Sequence, residues 1–171
     1  RPLYTRAISL AMQSGSLGAM RVRLAAANRI AGLCDRLSEL PDADQALCWE
    51  AALGLLAAED TDDQADALEL MDTVALAVKL EENFFLEDTV EEAADLDHQR
   101  PLKSEVGPGA TTQRRSFALY DRILTEGRLH GGVRGLGKAA DAAYSLGELC
   151  GDSHRAGEYR VESIALGLQA G

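Results

Sequence analysis

Apolar residues in this chain recur at alternating three- and four-residue steps, and no segment alternates β-branched residues with polar ones. A step of three or four residues places side chains on one face of an α-helix. The clearest run is Leu17, Met20, Leu24, Ala27, Ala31 and Cys34. Alanine and leucine, which lose little side-chain freedom in a helix, make up most of the apolar residues, and aromatic residues are only 5%. The sequence therefore predicts an all-α protein, a single-domain helical bundle of about six helices over residues 1–171.

Helix start signals divide the first half of the chain. Ser16 is a suitable N-cap for a helix that we expect to reach about Leu40, after a short helix over residues 3–12. Pro41, with two aspartates behind it, predicts the next start. Because residues 46–58 carry one charge, Glu50, we expect a buried central helix near residues 43–59, with Ala46–Ala58 the most buried segment. A further helix starts at Thr61 and should break near residues 82–83, since helices of more than thirty residues are rare in globular domains.

Glycine and proline divide the second half. Residues 101–113 (PLKSEVGPGATTQ) predict a loop, and the glycines at 127, 131, 132, 135 and 137 predict a Gly-rich connection at 127–137. The helices expected around these segments cover residues 114–126, 138–150 and 153–168. In the last pair, the end of a tetratricopeptide-type helical pair is resembled by Leu146-Gly147, Gly151-Asp152, Ala156, Tyr159 and Ile164; the alternative is two ordinary helices joined by a Gly-Asp turn.

Charge is segregated along the chain. Residues 1–36 carry a net charge of +5, residues 37–113 carry −17 and residues 114–171 carry +1, within a total of −11. We expect the basic arm and the acidic middle to pack against each other, or one of them to face a charged partner. Arg21, Arg29 and Arg36 are spaced by eight and seven residues, so they predict one exposed basic stripe that meets acidic surface. The net negative charge argues against nucleic acid as the main ligand.

An acidic segment gives the first candidate for chemistry. Glu87, Asp88 and Glu91 stand at i, i+1 and i+4, so on a helix their carboxylates can share a hard cation such as Mg²⁺. The segment resembles the first aspartate-rich motif of trans-prenyl diphosphate synthases and class I terpene synthases, which are also all-α. In those families the acids hold Mg²⁺ against a diphosphate. Glu87 replaces an expected aspartate and no second such motif occurs, so a solvated acidic helix face is the alternative.

A glycine-rich basic segment gives the second candidate. Residues 132–138 fit the spacing of a phosphate-cradling loop, but Ala139 stands where Ser or Thr must bind Mg²⁺, and no strand pattern precedes it. A weaker hypothesis is an anion site formed by His130, Arg134, Gly137 and Lys138 at a helix N-terminus near Lys138. The alternative is a basic connection between two helices.

The remaining signals are general ones. Cys34, Cys48 and Cys150 include no C-x-x-C pair, so they predict neither a disulfide framework nor a zinc site. No apolar run is long enough to span a membrane, and no signal-peptide pattern is seen, so we expect a cytoplasmic protein.

No catalytic set of residues converges in the sequence. The function we expect is therefore a non-enzymatic helical interaction or assembly module without a cofactor, a homo-oligomer or a subunit of a larger complex. The alternative is a small helical ligand-binding or enzyme-like domain that holds an anion or Mg-diphosphate, distantly similar to the trans-prenyl diphosphate and terpene synthases.

Overall fold

The fold is entirely helical wherever the structure, a computed structural model, describes it. It describes the backbone of residues 1–34, 36–97 and 114–171, and the side chains of these residues except 85–97. Within these ranges there are seven α-helices, one 3₁₀ turn and no strand. The all-α class is confirmed. The helices are α1 (Pro2–Ala11), α2 (Leu17–Ala31), α3 (Asp42–Leu56), α4 (Thr61–Asp97), α5 (Arg115–Leu129), α6 (Gly132–Leu149) and α7 (Ser153–Ala170), with the 3₁₀ turn at Leu37–Glu39.

Helix α2 begins as predicted and ends early. The Ser16 hydroxyl accepts a hydrogen bond from the Ala19 amide at 3.3 Å, which is the expected N-cap contact. The helix ends at Ala31, so the prediction that it reaches Leu40 is wrong. Gly32 follows the last helical residue, and glycine is a poor helix former. The apolar face of α2 is nevertheless buried through Leu24, Ala27 and Ala31.

Helix α3 is the buried helix that the sequence predicts near residues 43–59. Cys48, Ala52 and Leu55 are fully buried on its inner side, and Glu50 is exposed. The expectation that Ala46–Ala58 is the most buried segment is wrong. Between residues 65 and 78, helix α4 buries most of its side chains, because it contacts α2, α3, α5 and α6 whereas α3 packs against α2 and α4.

Helix α4 runs without interruption for 37 residues, so the predicted break near residues 82–83 is wrong. No glycine or proline lies in this stretch. The side chains of Glu82 and Asn83 instead hold the start of α5. Glu82 accepts hydrogen bonds from the Ser116 amide (3.2 Å) and hydroxyl, and the Asn83 side-chain oxygen accepts one from Arg114 (3.0 Å). Glu82 thus caps α5, whose own N-cap residue makes no side-chain cap.

Four of the five glycines at 127–137 lie in helices, so the predicted Gly-rich connection at 127–137 is wrong. Only His130 and Gly131 separate α5 from α6. Gly131 has φ +77°, which suits glycine at this turn. A Cβ added at Gly127 would lie 2.7 Å from the Gly135 carbonyl oxygen, so the two helices meet closely at these glycines. Gly127 and Gly135 therefore allow α5 and α6 to pack closely and do not form a loop.

Helices α6 and α7 form an antiparallel pair joined by Cys150–Asp152. A Cβ added at Gly147 would lie 3.3 Å from the Ala156 carbonyl oxygen, which fixes the two residues side by side. Asp152 caps α7 by accepting hydrogen bonds from the Arg155 and His154 amides, at 2.9 and 2.8 Å; these bonds lower its pKa. The predicted turn at Gly151-Asp152 is therefore confirmed. The loop predicted at residues 101–113 lies outside the described residues.

Candidate interaction surface

Ion pairs within the chain join the acidic middle to the basic segments on both sides. Each of the following pairs has one partner between residues 37 and 97 and the other before or after that range. They are Arg1–Asp44 (2.7 Å), Arg21–Asp63 (2.7 Å), Arg115–Asp42 (2.8 Å), Arg134–Asp66 (2.8 Å) and Lys138–Asp72 (3.1 Å). Charge segregation predicts either that basic and acidic segments pack against each other or that one of them faces a charged partner. The structure shows the first, packing within the chain.

The three arginines predicted to share a stripe lie in different settings. Arg21 donates hydrogen bonds to both oxygens of Asp63, and this contact raises its pKa. Arg29 is exposed on the last turn of α2. Arg36 is also exposed, but it follows the end of α2 and precedes the 3₁₀ turn, so the helical spacing that placed it on the stripe does not apply. A role of these arginines in binding a partner stays a prediction.

The residues of the predicted anion site face carboxylates. Arg134 lies 2.8 Å from Asp66, a hydrogen bond that raises the Arg134 pKa, and it also approaches Asp62 and Glu69. Lys138 pairs with Asp72, and the Nε2 atom of His130 lies 3.3 Å from Glu126.

The helix N-terminus lies elsewhere than the anion hypothesis requires. Helix α6 begins at Gly132, so Gly137 and Lys138 belong to its second turn and the expected start near Lys138 is wrong. An anion would have to compete with the neighbouring carboxylates for the same cations. Anion binding at this place stays a prediction.

The acidic candidate is only partly described. Glu87, Asp88 and Glu91 fall in α4, and their side chains lie outside the described residues. Among the side chains that are described, no group of three or more His, Cys, Asp and Glu residues could hold a metal ion. No helix in the described part of the chain is long and apolar enough to cross a membrane.

Two buried groups that could serve in chemistry are held in their neutral forms. Burial raises the pKa of the Cys48 thiol to about 12, and its Sγ atom lies 3.5 Å from the Ala27 carbonyl oxygen. Burial likewise raises the pKa of Tyr120 to about 12, with Lys79 over its ring. A thiol with such a pKa is not a nucleophile near neutral pH. Both residues serve the core.

An apolar row on α7 is the feature that sequence reasoning missed. Val161, Ile164 and Leu168 are 69%, 66% and 79% exposed, while Ala156 and Leu166 on the opposite side of the helix are buried. The steps of three and four residues could have revealed this row. By themselves these steps predict a helix, and they do not tell an inward face from an outward one.

Other exposed apolar residues form less continuous rows. On α1, Arg6 separates Leu3 from Leu10 along the same face. On α4, Leu76 and Leu80 are only about 40% exposed, and Phe84 is 61% exposed. The α7 row, which we call the α7 face (Val161, Ile164 and Leu168), is the most exposed of the three. Large exposed apolar patches mark interaction sites in folded proteins.

In the part of the chain that the structure describes, fold and surface together define a class only: an all-α bundle of consecutively packed helices in which α7 presents an exposed apolar face. Comparisons with known protein families, with curated proteins and with solved structures found no match for this chain.

Proposed function

We propose that this protein is a non-enzymatic helical interaction and assembly module, which associates with itself or forms a subunit of a larger complex. The observation that supports the proposal is the α7 face. Fully burying a Val, Ile or Leu side chain contributes about 1.5–3 kcal/mol relative to leaving it exposed. Three such side chains on the outside of one helix supply a driving force for association that folding of the single chain leaves unused.

The charge of the molecule supports a protein partner. A net charge of −11 disfavours nucleic acid as the main ligand, since binding to phosphates requires a positive surface. Several of the basic residues are already paired with carboxylates of the same chain. A cytoplasmic location belongs to the same proposal.

The enzyme-like alternative, a domain that holds an anion or Mg-diphosphate, stays a prediction. Its acidic residues Glu87, Asp88 and Glu91 have side chains outside the described part of the chain. Its basic residues Arg134 and Lys138 each donate a hydrogen bond to a carboxylate of the same chain, Asp66 and Asp72, which neutralises part of their charge. No described contact favours this alternative over an interaction module.

Sedimentation velocity over a wide range of protein concentration tests the proposal. We compare the purified chain with a variant that carries Val161→Ser, Ile164→Ser and Leu168→Ser, and with a control that carries Leu3→Ser and Leu10→Ser on α1. The expected result is a sedimenting mass above the monomer that falls only in the α7 variant. The same two variants are then followed by gel filtration of an extract from the native source.

A partner other than a second copy would appear in that extract as a complex that the α7 variant fails to form. The proposal is contradicted if the wild type sediments as a monomer at every concentration and also elutes from the extract at monomer size.

The exposed arginines Arg29 and Arg36 are further candidates for contact with a partner, one with an acidic surface. Association through these charges weakens as salt is added, whereas association through the uncharged α7 face does not. Sedimentation at low and high salt, with Arg29→Gln and Arg36→Gln combined, separates the two. A mass that is unchanged by salt and by this variant would exclude the arginines from the interface.

A further inference from the structure

The α7 face has the shape of one half of a helix pair. Its members recur at steps of three and four residues, as they do along the seam of two packed helices. Its neighbours on the outer side include Gly157, Ala165 and Gly167, and a Cβ placed at either glycine would meet no atom within 4 Å. Small neighbours allow another helix to approach the row closely.

The charge pattern of α7 indicates which helix can pack there. From Ser163 to Gly171 the chain carries no charged side chain, and Glu162 is paired with Arg128 of α5. Two copies of a chain with net charge −11 repel each other over most of their surfaces. The repulsion is smallest where both copies present this uncharged stretch.

The same pattern selects the direction of the pair. In a parallel pair, Glu158 would lie beside Glu158 of the second copy, and Arg160 beside Arg160. In an antiparallel pair centred on Ile164, these charged residues lie opposite the uncharged residues 168–170, and Val161 lies opposite Gly167, one residue from Leu168. Like charges are thereby kept apart, and the helix macrodipoles are opposed. A two-fold axis of this kind is the commonest symmetry of protein dimers.

We infer that α7 packs antiparallel against α7 of a second copy of this chain, about a two-fold axis that passes near Ile164. This inference rests on the proposed function and names the partner for the α7 face.

The size of the contact indicates its strength. An 18-residue helix is about 27 Å long and about 10 Å wide, so one helix face falls well short of the ~800 Å² per partner of a standard interface. The dimer is therefore a weak one that dissociates on dilution.

Disulfide cross-linking at chosen positions tests the inference. In a background with Cys34→Ser and Cys150→Ser, which leaves only the buried Cys48, we introduce Ile164→Cys and oxidise mildly. Residue 164 faces itself across the axis, so the expected product is a covalent dimer. The control Glu158→Cys lies on the same exposed helix, but its two copies would be about 18 Å apart along the pair, too far for a disulfide.

A mixture of two variants checks the direction. Val161→Cys and Leu168→Cys should cross-link to each other far more than either does to itself. Equal self-linking at 161, 164 and 168 would indicate a parallel pair and overturn the inference.

A charge placed on the axis gives a second readout that needs no cysteine. Ile164→Glu should weaken the dimer at least tenfold, with the helical content and melting temperature of the chain retained because the side chain points outward.

The outcomes separate this inference from the proposed function. If the chain self-associates but Ile164→Cys gives no cross-link and Ile164→Glu keeps the mass, the α7 pair is wrong and assembly through another surface stands. If the purified chain is a monomer at every concentration, the α7 pair is also wrong. The proposed function then depends on a complex in the native extract.

Discussion

Two glycines of helix α6 lie in opposite surroundings, one crowded and one open. Gly135 begins the close contact with α5, and a Cβ there would collide with the His130 carbonyl oxygen; Gly137, two residues on, has open space around it. We expect Gly135→Ala to destabilise the fold by about 1–3 kcal/mol, since the crowded backbone must move. The matched control Gly137→Ala should instead stabilise it by about 0.4–1 kcal/mol, because alanine lowers the entropy of the unfolded chain. Urea unfolding of both variants measures the difference, and equal effects would contradict the close packing of α5 and α6.

The thiol of Cys48 makes stability depend on alkaline pH. Its pKa is about 12 in the folded protein, against a reference value of 9.0. Between these values the unfolded chain loses the thiol proton while the folded chain keeps it. The thiol therefore has no effect on the free energy of unfolding below pH 9, and it lowers that free energy as the pH rises from 9 towards 12.

Removing this thiol should flatten that part of the stability curve. We expect Cys48→Ala to lose less stability than the wild type between pH 9 and pH 11, on top of a constant cost for the cavity it leaves. Cys150→Ala, at a half-buried position, is the control and should follow the wild-type slope. Parallel curves for wild type and Cys48→Ala would show that the thiol titrates alike in both states.

At the scale of the helices, one carboxylate joins two elements that are distant in sequence. Glu82 in α4 accepts hydrogen bonds from the backbone and side chain of Ser116, which is fully buried at the start of α5. Glu82→Ala leaves both donors unpaired, at a cost of about 1–3 kcal/mol. Glu69→Ala, at an exposed site of the same helix, is the control and should change stability little.

A double variant tests the origin of that cost. Adding Ser116→Ala to Glu82→Ala removes one unpaired donor, so the combined loss should be smaller than the sum of the single losses. Additive losses, measured by the same urea titrations, would argue against the interhelical cap.

Sequence patterns predicted the helical class and most helix starts, because caps and apolar spacing are local properties. Ser16, Pro41 and Asp152 each mark a start that the structure has. The failures involve partners that local patterns do not show. The continuity of α4 past Glu82, and the packing of Gly127 against Gly135, depend on residues of another helix.

The candidate site was predictable to a smaller degree. The basic and acidic residues were recognised from charge, but the pairing of Arg134 with Asp66 spans 68 residues and has no local signature. The α7 face had its signal in the sequence. The spacing does not show how many helices pack against α7, and therefore does not show which of its faces is exposed.

At the scale of the whole molecule, positions of charge matter more than their number. The variant Arg134→Gln with Lys138→Gln removes two contacts between α6 and α4 and leaves their acidic partners close together. We expect its melting temperature to fall, and to fall more at low salt, where repulsion is least screened. The control Arg6→Gln with Arg29→Gln removes the same charge from exposed sites and should have a smaller effect. Equal shifts in the two double variants would mean that net charge alone determines the change in melting temperature.

The pairing of distant charges bears on how the chain folds as it is synthesised. When a ribosome has produced α4 but not α6, Asp66 and Asp72 have no cation opposite them, whereas Asp63 already has Arg21 of the completed α2. At that stage residues 1–97 are strongly anionic, and α4 lacks its contacts with α5 and α6. The ion pairs of Asp66 and Asp72 wait for the translation of Arg134 and Lys138, so we expect this side of α4 to be covered last.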